Sequence, residues 1–178
     1  MKSTPVLENP RPPIDFKRPA GIEDLLLFRL SKVVSLGGGI VTRICEGQFG
    51  VTRREWTVLA IVARADSMSW SEAAQRCEID DARLSRAVSS LVAKKLLRKS
   101  HTPERQVVLA LTPDGRQLYD TMFPLARQIN MHMLEALDER LVDALSEALD
   151  RLHARGEEIA RDTPVPKARR SRGGRREL

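Results

Sequence analysis

Arg83, Arg86 and Ser90 fall at i, i+3 and i+7. That spacing makes one stripe of a helix whose other side is taken by Leu84, Val88 and Leu91. An arginine fork on an exposed helical stripe is the group that reads guanine bidentately in a major groove. The surrounding charge points the same way. Between 83 and 105, Arg83, Arg86, Lys94, Lys95, Arg98, Lys99 and Arg105 stand against Glu104, a net +6 inside a body (20–163) that totals −1. Self-repulsion of that size is best relieved by a polyanion; an ordinary solvated face is the plainer alternative. Ser69 and Ser71 at a helix start suit phosphate contact through backbone amides, as do Arg53 and Arg54. As caps alone the serines are equally well used.

Other chemistries find little support. His101, His132 and His153 share no ligand spacing with one another or with Cys45 and Cys77. There is no Gly-x-Gly-x-x-Gly, no Walker loop and no Gly-x-Ser-x-Gly, so the expectation is no enzyme, no cofactor and no metal. Two cysteines are too few for a disulfide framework. Both sit among apolar helix residues and read as buried and inert; Cys45, two residues from Arg43, leaves open a thiol of depressed pKa that senses oxidants.

The elements that must position these groups are mostly helical. The 178 residues are 42% hydrophobic and only 4% aromatic, and five of the ten prolines crowd into 1–19. No apolar run approaches the ~18 residues of a membrane span, and the start lacks a signal-peptide core. The expected protein is therefore cytoplasmic, with no membrane partner.

Leu25 to Val34, then Ile40, Val41 and Ile44, predict one long helix to about Gly47, interrupted and kinked at Gly37-Gly38-Gly39. Thr52 to Glu55 and Ser69 to Glu72 are capping-box patterns, and Asp80 caps a third short helix. Leu97–His101 and Arg105–Leu111, joined by Thr102-Pro103-Glu104, predict a hairpin. Thr112-Pro113-Asp114 opens a fifth helix, with Leu118, Met122, Leu125, Ile129, Met133 and Leu137 on its apolar face and a kink at Pro124. Leu141, Leu145, Leu149 and Leu152 space a last one for helix–helix packing.

The expected fold is thus mostly α with a small β-hairpin wing: a winged helix-turn-helix plus a helical dimerisation region. The divisions are a Pro-rich flexible arm at 1–20, dimerisation helices at 21–49 and 114–162, the winged domain at 50–113, and a disordered tail at 163–178. The part of that tail from 164 carries +5. The flanking helices have more apolar surface than one small domain covers, which predicts a homodimer.

Over about 22–160 the sequence resembles the MarR family of bacterial transcription regulators. Gly50-Val51-Thr52 with Trp56 and Leu59, Ala74, Leu84-Ser85-Arg86, Leu96-Leu97, Arg105, and Leu111-Thr112-Pro113-Asp114-Gly115 follow the family's pattern in order. Three positions depart from it: Pro103 replaces the acid that usually supports the wing arginine, and Glu78 and Lys95 stand where glycines are usual. The resemblance completes the expected DNA-contact set: Arg53, Arg54, Ser69, Ser71, Arg83, Ser85, Arg86, Ser89, Ser90, Lys94, Lys99 and Arg105. It also implies an effector pocket, with Arg29, Ser35, Gly38, Gly39, Arg43 and Trp56 as the residues that fit an aromatic or phenolic carboxylate. A flexible helix and a packed core tryptophan explain those six equally well. The resulting expectation is a dimeric repressor released from a pseudo-palindromic double-stranded DNA operator by a small anionic ligand. An architectural nucleic-acid binder driven by basic tails and a thiol-based sensor remain open.

Overall fold

Side-chain caps mark the start of every α-helix but the first. In this computed structural model, which describes residues 15–163, α1 is Leu26–Gln48, α2 Arg53–Val62, α3 Trp70–Cys77, α4 Asp81–Ala93, α5 Pro113–Leu134 and α6 Glu139–Asp162. Thr52 Oγ1 accepts from the Glu55 amide at 3.2 Å and Glu55 Oε2 accepts from the Thr52 amide at 2.7 Å, a reciprocal box that starts α2. Ser69, Asp80 and Asp138 accept from the amides of Glu72, Arg83 and Leu141 at 3.2, 2.7 and 2.8 Å. At α3 the expected second half of the box is replaced: Glu72 pairs with Arg76 at 2.9 Å.

The chain divides into two compact units between Met133 and Leu134. In the first, α2, α3 and α4 enclose a core whose largest fully buried side chains are Leu59, Met68, Leu84, Leu91, Leu97 and Leu109. Burying each is worth about 2 kcal/mol. Strands β1 (Met68–Ser69), β2 (Leu97–His101) and β3 (Val107–Leu111) form an antiparallel sheet in the order β1-β3-β2. Leu109 is the shared register point, opposite Met68 on one side and Lys99 on the other. Thr112 Oγ1 accepts from the Gly115 amide at 3.0 Å and donates to the Lys95 carbonyl at 2.6 Å, tying the start of α5 to the end of α4. Only glycine fits at 115, since a Cβ there would lie 2.0 Å from the Leu96 carbonyl oxygen.

The second unit holds α6, 24 residues with none buried. Leu141, Leu145, Leu149 and Leu152 are all exposed along it. Arg151 pairs with Glu147, and Arg155 with Glu158 at 2.7 Å.

Four expectations need correction. Gly37–Gly39 do not interrupt α1, which runs 23 residues without a break. Two of these glycines admit neighbours: a Cβ at Gly37 would meet Met133 Sδ at 2.6 Å, and one at Gly38 would meet the Arg53 guanidinium at 2.8 Å. Arg105 is not in a strand but in the hairpin turn, at φ 62°. The two-residue β1 was not foreseen. Leu137 falls beyond the end of α5. Of the Pro-rich arm only 15–20 belong to the described residues, and of the basic tail only Thr163 does.

Candidate nucleic-acid interface

Helix α4 presents its charged stripe as its periodicity requires. Leu84, Ala87, Val88 and Leu91 are buried, while Arg83, Ser85, Arg86 and Ser89 are exposed. Arg83 and Arg86 line one groove of about 180 Å³ with Thr52, Arg54, Glu55 and Ala87. Three guanidinium-bearing residues thus surround one depression between the start of α2 and the exposed face of α4. Arg83 Nε lies 3.4 Å from Asp80 Oδ2. Arg54 and Arg86 carry no ion pair among the described residues. Arg53 is drawn away from this groove, over Gly38 of α1.

Two expected contact residues are engaged within the protein. Lys94 Nζ donates to Glu55 Oε2 at 2.7 Å and to the Gly50 carbonyl at 2.8 Å. Ser90, the third member of the stripe, is half-buried and its side chain helps to lower the pKa of the same Glu55 carboxylate. Burial by itself pushes the Glu55 carboxyl up. The hydrogen bonds from Lys94 and the Thr52 amide, with the Ser90 side chain and the Lys94 charge, outweigh that and hold it below the ordinary carboxylate range. Period alone placed Ser90 and Lys94 on a solvent face; an acid 39 residues before Lys94 turns them inward.

Around the turn and wing, three residues adopt left-handed backbone: Glu78 at φ 52°, Lys95 at 58° and Arg105 at 62°. Each costs a side-chain-bearing residue about 1–2 kcal/mol relative to right-handed backbone. At the wing tip the Arg105 amide donates to the Thr102 carbonyl and the Thr102 amide to the Gln106 carbonyl, both at 2.9 Å, a turn followed by a left-handed bulge residue. The Glu104 carboxyl is held below its ordinary range by hydrogen bonds from its own backbone amide and the Thr102 hydroxyl. Arg105 is therefore supported by backbone geometry rather than by an acid two residues before it.

Lys99, on β2, places its ammonium 5.2 Å from the centroid of the Trp70 ring, whose Nε1 donates to Asp81 Oδ1 at 2.9 Å. Trp70 was not among the expected site residues, yet it joins β2, the start of α3 and the first turn of α4. It lies on the apolar stripe of α3 with Ala73, Ala74 and Cys77 and packs against the core, so its sequence signal is that of a core residue. Ser69 serves as the α3 cap, and its hydroxyl lies 3.3 Å from that of Ser71.

Of the six expected ligand residues, Trp56 and Arg29 line two different cavities among the described residues. Trp56 is 8% exposed and stacks on Tyr119 (centroids 5.9 Å apart), which stacks on Phe123 at 5.3 Å. The space beside it, lined by Val41, Ile44, Cys45, Met122, Ala126 and Ile129, is about 10 Å³, no more than one water. Arg29 lines a different groove of about 330 Å³ with Phe16, Glu23, Leu26, Leu30, Lys32 and Val33. Its guanidinium lies 5.8 Å from the Phe16 ring centroid. Arg43 is fourteen residues further along α1, about 21 Å at the helical rise. Ser35 is exposed, Gly38 lies under Arg53, and nothing approaches Gly39.

Burial raises the pKa of both Cys45 and Cys77, the reverse of what a thiolate sensor needs. Among the described residues there is no cluster of metal-ligating side chains and no helix long and apolar enough to cross a membrane.

Fold, groove and wing together define a winged helix-turn-helix with an arginine-lined recognition helix. The MarR family model matches residues 49–106. Solved structures similar to the chain include Bordetella bronchiseptica BpsR, studied for regulation of its DNA binding by 6-hydroxynicotinic acid. It is 25% identical, covers 76% of this chain and 98% of its own, and has a TM-score of 0.69. A MarR-family transcriptional regulator from Silicibacter pomeroyi DSS-3 is 26% identical, with 75% and 99% covered and a TM-score of 0.65. NadR, in complex with 4-hydroxyphenylacetate, is 17% identical, with 75% and 96% covered and a TM-score of 0.61. Comparison with curated proteins gives no match. Residues 49–106 thus resemble the MarR family, and the chain shares the fold of the solved transcriptional regulators to which it is similar.

Proposed function

We propose that this protein is a homodimeric, sequence-specific DNA-binding regulator that represses from a pseudo-palindromic operator and is released by a small anionic aromatic ligand. The observation that carries the DNA reading is the groove where unpaired Arg54 and Arg86 meet Arg83 on the exposed face of α4. Arg86 and Arg83 supply forks for base edges. Arg54, Arg105 and the Ser69–Ser71 turn supply phosphate contacts, which fix register without reading sequence. The dimer reading rests on apolar surface that the chain leaves open: Leu27, Val33, Val34 and Leu36 of α1, and the α6 leucines. A second copy is the occupant consistent with two recognition helices about one DNA turn, roughly 34–36 Å, apart.

Ligand control is carried over from BpsR and NadR, whose structures concern hydroxylated aromatic acids. Of the residues expected to bind one, Arg29 lines a cavity of that size, beside the Phe16 ring. Release follows only if the ligand prefers the conformation that does not hold DNA.

A footprint on DNA selected from a random pool tests this reading. Two protected half-sites one turn apart are expected, and Arg86→Ala weakens binding about fivefold or more, about 1–3 kcal/mol, with the fold intact. Uniform protection that disappears with salt would instead indicate an architectural binder.

A further inference from the structure

Glu55 is the one acidic side chain lining the arginine groove, together with Arg54, Arg83 and Arg86. Its carboxylate is nearly buried (side chain 5% exposed) and is the natural counter-ion for any of those three guanidiniums. None of them pairs with it. Lys94, entering from the far end of α4, occupies it at 2.7 Å while its ammonium is anchored a second time on the Gly50 carbonyl. The Thr52 amide donates to the same carboxylate oxygen at 2.7 Å. An acid in the floor of a phosphate-binding groove is otherwise a liability, since it would fold the arginines down onto itself. Arg83 shows the tendency already, leaning on Asp80 at 3.4 Å.

We propose that Lys94 is a positioning residue that occupies Glu55, leaving Arg83 and Arg86 free for DNA, and that it makes no phosphate contact itself. This rests on the DNA-binding reading and deepens it, because it separates the cations of the recognition helix into those that meet DNA and one that keeps the site open. Lys94 acts through Glu55. Its loss is therefore repaired by removing the Glu55 charge, which would not repair the loss of a phosphate partner.

The test compares wild type, Lys94→Gln, Glu55→Gln, the double variant and Lys94→Arg, each checked for folding by circular dichroism. Affinity is read by fluorescence anisotropy on a labelled duplex selected by the wild-type protein, at several salt concentrations. Lys94→Gln is expected to bind at least tenfold more weakly. The double variant, Glu55→Gln alone and Lys94→Arg are expected within threefold of wild type, with the wild-type salt slope. Direct phosphate binding by Lys94 predicts the opposite for the double variant: binding as weak as Lys94→Gln and a slope lower by about 0.9 for each phosphate no longer neutralised. That result overturns the proposal, and so does wild-type binding by Lys94→Gln.

A DNA-free arm separates this inference from the DNA-binding reading. In ¹H–¹⁵N spectra of arginine side chains, assigned with Arg83→Lys and Arg86→Lys, one Nε–H should become protected from exchange in Lys94→Gln. It should stay unprotected in wild type and in the double variant. Unchanged spectra in Lys94→Gln reject the capture by Glu55. The expected spectra with no DNA bound by wild type would sustain the pairing and reject the functional reading.

Discussion

Arg105 separates stability from function at one residue. Its φ of 62° is a conformation that costs a side-chain-bearing residue about 1–2 kcal/mol. The hydrogen bonds that build the turn use only backbone and Thr102 groups, so they survive any substitution at 105 except proline. Glycine removes the strain but returns about 0.5–1 kcal/mol through the freer unfolded chain. Arg105→Gly should therefore be more stable by about 0.5–1 kcal/mol, a rise of roughly 1–4 °C in Tm for a chain of this size. Arg105→Ala keeps the strain and should melt within about 1 °C of wild type, by the same scaling. Both variants lose the guanidinium from an exposed wing tip. Both should bind duplex DNA several-fold more weakly, with a salt slope lower by about 0.9 for each phosphate left without its cation. Thermal unfolding and anisotropy at two salt concentrations read the two effects separately. If Arg105→Gly is less stable than wild type, the strain argument fails; if neither variant changes affinity, the wing arginine is not at the DNA.

At Gly115, alanine must displace the Leu96 carbonyl, 2.0 Å from the new Cβ. Gly115→Ala should lose about 2–3 kcal/mol and about 5–10 °C in Tm, and a loss under 2 °C contradicts the close approach. The lowered pKa of Glu55 makes a signed statement about acid. A carboxyl depressed on folding contributes stability above its unfolded pKa, about 4.3, and loses it as pH falls through the lower folded value. Denaturant unfolding of Glu55→Gln should thus depend less on pH below about 4.5 than wild type, and parallel curves would refute the assignment.

Features fixed by neighbours in sequence were legible. Thr52, Ser69, Asp80 and Thr112 were each expected as caps, and each accepts the expected amide. What escaped depends on distant partners. Strand β1 has two residues and exists because Met68 and Ser69 pair with Leu109 and Val108. The glycines of α1 were expected to interrupt it because their local cost is real. The cost is offset by the close approach of Met133 and Arg53, one from α5 and one from α2. Trp56 was a plausible stacking surface until Tyr119 filled that face.

The same distinction governs the charge. A net +6 over 83–105 pointed to the side of the molecule that holds the arginine groove, because clustering of like charge is visible without coordinates. It overstated how many of those cations are free. Lys94 is committed to Glu55 and Gly50 and Lys99 rests on Trp70, whereas Arg83 only leans on an exposed Asp80 and stays available to DNA. Arg86, Lys95, Arg98 and Arg105 remain unpaired among the described residues, and Arg54 joins them from α2. Counterion release on binding counts phosphates actually neutralised, not formal charge. The electrostatic part of affinity should therefore follow this smaller set. The paired cations fix where the set sits: Lys94 ties the end of α4 to the start of α2, and Lys99, through Trp70, ties β2 to the start of α4.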